Sequence, residues 1–591
     1  LPFEDSRRLT GANLFFASTG AVLEVVGESI DMALLDAWRA RALRAGEHLG
    51  WPVQQVVSRP HAGGASLALA APCDQLFVAT EINEWALCAA LVERDAARLS
   101  SLQGALAADS ANGAEPGEDP PVLEEAAAFA RFDRRARCEA NPALRALLQA
   151  AAARGLPHVL DDSELTLGAG NGGQSFPRSA LPGVAQIRWG ELHDIPTVLV
   201  TGSNGKTTTV RLLAACARAA GWPAAYNCTD GVFLNDAALE TGDYSGPEGA
   251  RLVLRQRRAQ AAILETARGG ILRRGIAASQ ADVAVVTNIS SDHFGEYGID
   301  ELADLADVKL TVAAVVRRGG LLVLNADDPQ LRDRALRLDR RFGHCPPIGW
   351  FARDADCELL LQHRLRGGPT CGVRAGRLCL HHLDELHDLG AVAAMPLSIG
   401  GLAAYNVANL AGAALAAAAL GIPGSTIAAV FARFGDALDD NPGRMMRFAR
   451  DGVQVLVDYA HNPDGLRGFL TVASRLRSGP GRLGMLLGHA GNRKNSDIEE
   501  LARVAAEFRP DLVVVKENET QLRGRAPGEV PRMIRAELER LGLPESALPV
   551  RDSELGAVRC ALDWAQPGDV LALPVHSQSA RAAVVALLGG R

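Results

Sequence analysis

Lysine is scarce in this 591-residue chain, four against 57 arginines, and two of the four fall where chemistry asks for an amine. Where arginine fills nearly every cationic position, a retained lysine points to a compact point charge or to an amine that can lose its proton. Lys206 closes the run Thr201-Gly202-Ser203-Asn204-Gly205-Lys206-Thr207-Thr208-Thr209. An apolar strand-like stretch precedes it. A helical period follows, with Val210, Leu213, Ala214 and Ala217 on one face and Gly221 as the stop. In that setting glycines let backbone N–H groups close around phosphate oxygens, and the helix N-terminus adds its positive end. Lys206 would then reach the β- and γ-phosphates of a nucleotide, and the Thr207 hydroxyl would ligate Mg²⁺. The loop is shorter than the common GxxxxGK[ST] form, because position 200 is valine.

Three more positions could join that chemistry. Glu265 ends the apolar run 261–264, and in open α/β sheets active groups gather at the carboxyl ends of strands. A carboxylate there can ligate a metal that bridges phosphates, although a salt-bridged surface glutamate fits the same position. Asp292-His293 follows the run 283–287 by a few residues, which makes His293 a candidate metal ligand. Leu302, Leu305, Lys309, Val312 and Val316 repeat at spacings of 3, 4, 3 and 4, which places Lys309 on the buried stripe of a helix. Burial disfavours the charged ammonium, and a neutral amine can add CO₂ to become a carboxylate-like carbamate, a route closed to arginine. A lysine that snorkels from a helix edge would show the same spacing.

These residues need a parallel sheet to bring them together. The runs 196–200, 261–264, 283–287 and 321–324 are β-rich and separated by helical segments, the pattern of a parallel sheet covered on both faces. After Asp439-Asp440-Asn441-Pro442-Gly443 the runs 453–457, 483–487, 512–515 and 570–573 repeat it, so two α/β domains in tandem are expected, divided near 440. Gly491-Asn492-Arg493-Lys494 and Lys516-Glu517-Asn518 follow strands of the second domain and are expected to face a cleft, with substrate or phosphate contacts. Upstream, 65–71 and 75–79 read as strands and 32–49 as a helix. The stretch 100–121, with Glu115-Pro116-Gly117 and Asp119-Pro120-Pro121, reads as a surface linker. A helical piece over 122–154 follows, then a flexible turn at Leu167-Gly168-Ala169-Gly170-Asn171-Gly172-Gly173.

Composition narrows the class. The length suggests three or four domains, and 48% apolar with 22% charged residues is ordinary for a globular protein. A net charge of −8 gives no reason to expect nucleic acid or an anionic membrane as partner. Ten scattered cysteines without a CxxC pair suggest reduced thiols. Leu1-Pro2-Phe3-Glu4-Asp5 does not open a signal peptide, and the greasy stretch 410–421 is too short to span a bilayer, so a cytoplasmic location is expected.

The phosphate loop, the Glu265 strand end, Asp292-His293, Lys309 and Tyr405-Asn406-Val407-Ala408-Asn409, in this order, resemble the Mur ligase family. Within it the likeness over 195–591 is greatest to the ligase half of the cyanophycin synthetases. Its carriers are Glu265-Thr266-Ala267-Arg268-Gly269-Gly270-Ile271-Leu272-Arg273, Asp458-Tyr459-Ala460-His461-Asn462-Pro463-Asp464 and Leu522-Arg523-Gly524-Arg525-Ala526-Pro527-Gly528-Glu529. The resemblance implies an α/β fold: a P-loop central domain at 195–440 with a parallel sheet, and a Rossmann-like C-terminal domain at 441–591. Before them come an N-terminal α+β domain at 1–135 and a connecting segment at 136–194.

It also implies ATP-dependent amide ligation, in which an acceptor carboxylate is phosphorylated and an amino acid's amine attacks it. Arginine onto an aspartate side chain of a peptide-like acceptor is the implied pair. Gly202, Ser203, Asn204, Gly205, Lys206, Thr207 and Thr208 would hold the ATP phosphates, and Thr207 the first Mg²⁺. Glu265 would bridge to the metals, and His293 with a carbamylated Lys309 would hold a second Mg²⁺. Asn406 and Asn409 would face the nucleotide, with Arg444 and Asp458 near its ribose. Tyr405 stands where many members have histidine.

The cyanophycin synthetases carry an ATP-grasp domain before the ligase half. Here Ala150-Ala151-Ala152-Ala153-Arg154-Gly155-Leu156-Pro157 and Leu167-Gly168-Ala169-Gly170 resemble its entry, yet the phosphate loop follows only about thirty residues later, too few for such a domain. One ATP site and one bond type are therefore expected, with a synthetase-type partner and an oligomer both open. A UDP-muramyl-peptide ligase and a non-catalytic nucleotide-binding partner are the competing readings. Asn441-Pro442-Gly443-Arg444 differs from the Asp-Asn-Pro-Arg amino-acid clamp of the diaminopimelate-adding branch.

Overall fold

The computed structural model describes residues 1–27, 30–52, 55–111, 122–291, 294–518 and 521–589. Its largest sheet has eleven strands. The strand Thr197–Thr201 lies between Ala261–Glu265 on one side and Ala281–Val286 on the other, both parallel to it. Every residue of these three strands is buried, which is why they read as continuous apolar runs rather than as an alternation. Val316–Asn325, Ile348–Asp354 and Thr370–Arg374 continue the parallel sheet beyond Ala281–Val286, and antiparallel strands close both of its edges. Helix Lys206–Ala219 starts directly from the phosphate loop and is buried over Thr207 to Ala217, all round rather than on the one expected face. It packs on the sheet beside helix Ala404–Ala419, which covers the neighbouring strands of the same face.

A six-stranded sheet holds Val453–Asp458, Val570–Pro574, Leu483–Leu487 and Leu512–Lys516 as parallel neighbours in that order. Four antiparallel strands in the order Phe3–Leu9, Gly20–Val26, Gly64–Ala70 and Val56–His61 form the N-terminal sheet, with helices Met32–His48 and Leu76–Arg94 packed on it. A three-stranded sheet over His158–Leu160, Glu164–Leu167 and Gln174–Pro177 follows, with a small core of its own around Leu144, Leu147 and Leu165.

Several local expectations are corrected. The run 75–79 is not a strand but the start of helix Leu76–Arg94, because Ala79, Ile82, Ala86 and Ala90 carry a helical period past the short β-rich opening. The linker expected over 100–121 begins as helix Leu99–Ala111, in which Leu102 and Leu106 supply a buried stripe. The remainder, with both proline clusters, lies outside the described residues. The single helical piece over 122–154 is two helices, Glu125–Glu139 and Pro142–Ala152, divided where Pro142 cannot continue a helix and Asn141 caps the next.

The glycine turn at 167–173 is a close-packed corner. A Cβ on Gly168 would fall 2.3 Å from the Gly172 carbonyl oxygen, and one on Gly172 would fall 2.4 Å from that of His193. The helix expected through Lys309 ends there. Leu310–Val315 is a 3₁₀ segment and Val316 already starts a strand.

Candidate active site

The strand order concentrates chemistry at one edge of the large sheet. The phosphate loop leaves the carboxyl end of its strand, Glu265 ends the neighbour on one side, and Thr287 and Asn288 follow the neighbour on the other. Gly202 and Gly205 take φ of +143° and +84°, conformations open to glycine. Gly205 also lets Asn409 press against the loop: a Cβ there would lie 2.2 Å from Asn409 Oδ1. Asn288 braces the loop from the other side, accepting from Asn204 N at 2.9 Å and donating to Asn204 O at 2.9 Å. The Ser203 hydroxyl exchanges hydrogen bonds with Ser290. Asn288 and Ser290 were missed in the sequence, although their place just past a strand end was the available signal.

Inside this frame Lys206 Nζ donates to the carbonyls of Gly202 and Ser203 at 3.0 and 3.1 Å. The Thr207 hydroxyl donates to Glu265 Oε2 at 2.8 Å. Glu265 is 1% exposed. Burial raises its carboxyl pKa, opposed by the Lys206 charge and the Thr207 hydrogen bond. A cation beside it would remove that penalty. The hydroxyl and carboxylate are hard oxygen donors next to a phosphate-binding loop, and this set fits Mg²⁺. Among the described residues no cluster of three or more His, Cys, Asp or Glu forms a protein-only metal cage, and Mg²⁺ ordinarily takes one or two carboxylates plus phosphate and water.

Lys309 is 2% exposed, and its Nζ donates to the Gly202 carbonyl at 2.9 Å. The amine thus lies in the wall of the same loop, not at a helix edge. Asp292 and His293 lie outside the described residues. Asn409 donates to Asn406 Oδ1 at 3.2 Å, and Asn406 donates to the Leu397 carbonyl, so the pair forms one buried unit beside the loop.

The C-terminal sheet faces this edge with its own strand ends. Asp458 accepts from Met445 N at 2.7 Å, and its enclosed position raises its pKa against the pull of Arg444. Arg444 stacks its guanidinium 4.3 Å from the Tyr459 ring centre and donates to Thr229. Thr208 joins the other half by accepting from Asn441, and Asn204 does so by accepting from Asn462 at 2.9 Å. A cavity of about 1100 Å³ lies between the two sheets, and Ser203 to Thr208, Glu265, Lys309, Asn406, Asn409, Arg444 and Asp458 all line it.

The lysines of the C-terminal half are placed differently from expectation. Asn492, Arg493 and Asn518 do line the cavity. Lys516 is fully buried beneath it, paired with Glu554 and donating to the Pro574 carbonyl at 2.7 Å. Desolvation lowers its pKa and Glu554 opposes the shift, so the side chain is a strut under the cleft floor rather than a substrate contact. Lys494 lies over Gly295, where a Cβ would meet its Nζ at 2.7 Å.

Family comparison agrees with this geometry. The Mur ligase middle domain matches residues 200–350, and the Mur ligase glutamate ligase domain matches 443–573. A UDP-N-acetylmuramoyl-L-alanyl-D-glutamate--2,6-diaminopimelate ligase of Xanthomonas campestris is 32% identical over 63% of this chain and 70% of its own length. The chain belongs to the Mur ligase family. A cyanophycin synthetase of Synechocystis sp. is 35% identical over 61% of this chain, and the match spans only 40% of that protein's own length. Among solved structures, E. coli FolC in complex with DHPP and ADP shares 19% identity over 66% of this chain and 88% of its own, with a TM-score of 0.47. Mur ligases and cyanophycin synthetases are ATP-dependent ligases that form C–N bonds. Among the described residues no helix is long and apolar enough to cross a membrane.

Proposed function

We propose that this chain is an ATP-dependent amide ligase that couples an amino acid to a carboxylate of a peptide-like acceptor, as a cyanophycin-synthetase-like member of its family. The observation that carries the reading is the single cavity whose walls combine the phosphate loop, Glu265 and Lys309 with strand ends of the C-terminal half. Its volume, about 1100 Å³, exceeds that of an ordinary single-ligand pocket and leaves room for a nucleotide and two further substrates. The units 1–135, 136–194, 195–440 and 441–591 are proposed as its domains.

In this reading ATP is a substrate, held by the loop N–H groups and Lys206, with its base beside Asn406 and Asn409 and its ribose near Arg444 and Asp458. Thr207 and Glu265 would hold one Mg²⁺, and a carbamylated Lys309 with His293 would hold a second; such ions would supply positive charge against the phosphates. The acceptor carboxylate oxygen takes the terminal phosphoryl group and ADP leaves. The amine then attacks the acyl carbon, phosphate departs and the amine sheds a proton. Lys206 and the loop amides act by position and charge, and the C-terminal half closes the cavity against water.

A second reading, muramyl-peptide ligation, is favoured by the match to the diaminopimelate ligase. Phosphate release from ATP, screened over the twenty amino acids against β-Asp-Arg peptides, poly-Asp and UDP-muramyl peptides, with mass spectrometry of products, separates them. Turnover that needs one acceptor and one amino acid and yields an amide supports ligation. ATP binding without turnover on any pair would overturn it in favour of a non-catalytic partner of a separate synthetase.

A further inference from the structure

The helix Leu302–Lys309 is short, yet it places the Lys309 amine on the phosphate loop. Eight residues are too few for a helix to hold itself by propensity, so its position depends on what grips its ends. Its start is gripped directly from the N-terminal sheet, and its end by Arg341 of the central half, which is itself tied to the N-terminal segment. At its start Asp304 caps the first turn, with Oδ2 accepting from Asp300 N and Glu301 N, while Oδ1 pairs with Arg59 of the N-terminal sheet at 2.6 Å. At its end Arg341 donates to the Asp307 carbonyl and to Thr311 Oγ1, and also to the Leu14 carbonyl at 3.0 Å.

The loop that leads into this helix is held by the same sheet. Arg7 stacks 4.2 Å from the Tyr297 ring centre while donating to the Leu272 carbonyl and to Glu24. His61 lies against Gly298 so closely that a Cβ there would fall 2.2 Å from its ring. A domain that served only as a separate binding module would not need contacts with both the start of one catalytic-side helix and the loop that leads into it.

We propose that the N-terminal sheet is a positioning device for the Lys309 helix, with Arg59 as a positioning residue that acts through Asp304. The proposal rests on the ligase reading for its kinetic arm but not for its structural arm. Neither Arg59 nor Asp304 lines the cavity, so the loss of Arg59 should displace the Lys309 amine without removing a side chain from the nucleotide site.

The test compares Arg59→Ala and Arg59→Lys in the full chain. For Arg59→Ala, ligation kcat is expected to fall about tenfold with KM for ATP within about twofold of wild type, because small misplacements at a reacting centre cost rate rather than binding. Amide hydrogen exchange over 302–309 should accelerate, measured with no acceptor present. Arg59→Lys, which keeps a cation able to reach Asp304, should recover most of both. Wild-type exchange over 302–309 in Arg59→Ala would overturn the proposal, whether or not ligation is observed for the wild type. So would an equal loss in Arg59→Lys, or a change in KM for ATP as large as that in kcat.

Discussion

Lys309 shows how much one buried amine can depend on its surroundings. Its Nζ is within hydrogen-bond distance of a phosphate-loop carbonyl, and the cavity wall around it holds Glu265 and Lys206. Arginine at this place could keep the charge but could not add CO₂. Lys309→Ala should therefore leave ATP affinity within about threefold of wild type, while ligation falls at least about a hundredfold, the scale of losing a charge-stabilising group at a reacting centre. Short carboxylates added to the variant should restore part of the rate. Calorimetry with ATP and product formation by mass spectrometry check the two halves separately, and full activity in the variant would remove the lysine from the chemistry.

At the scale of elements, the phosphate loop is a backbone device whose shape is set by two glycines and two flanking asparagines. Gly205 is at φ +84° with Asn409 pressed against its α-carbon, so an added methyl meets both a conformational cost and a steric one. Gly205→Ala should lower stability by about 1 kcal/mol from the left-handed conformation alone. It should weaken ATP binding about tenfold as the loop N–H groups turn away from the phosphates. Thermal melts and ATP calorimetry read the two effects. A variant with unchanged ATP affinity would mean that the loop amides are not the phosphate cradle.

The whole molecule is tied across the cavity by charge. Asp230, in the central half, pairs with Arg581 of the C-terminal half at 2.6 Å and with Arg211 of the phosphate-loop helix at 3.2 Å, all less than a tenth exposed. Burial pushes the Asp230 carboxyl up, but Arg444, Arg581 and Arg211 together hold its pKa below the usual value. A depressed folded-state pKa means that its contribution is present at all pH above the ordinary aspartate range and is lost as pH falls below it. Asp230→Ala strands two buried guanidinium groups. It should cost about 3 kcal/mol or more at neutral pH, with a difference from wild type that shrinks in acid below about pH 4. Denaturant titrations of wild type and variant across pH check the sign. Faster hydrogen exchange at the junction of the two halves would show that the pair holds the cavity closed.

Composition, spacing and local pattern determined a good deal of this protein. The phosphate loop, the strand ending in Glu265, the burial of Lys309 and the parallel runs of both α/β sheets were legible. Each depends on backbone conformation or on a period within about fifteen residues, and such signals are local. Strands of mixed composition, such as Ala224–Cys228 and Ala237–Thr241, carried no comparable period and went unread. The β-rich opening of helix Leu76–Arg94 misled for the same reason, because a few residues cannot outvote a longer helical stripe.

Only the tertiary structure decided which charges meet. Asp230 and Arg581 are 351 positions apart, and Arg59 reaches Asp304 from a different sheet. It also decided that Lys516, in a run that looked set to face the cleft, turns beneath it to meet Glu554. An ion pair leaves no periodic trace in a chain. Its partners are chosen by which faces the packing brings together, and that is a property of the folded whole.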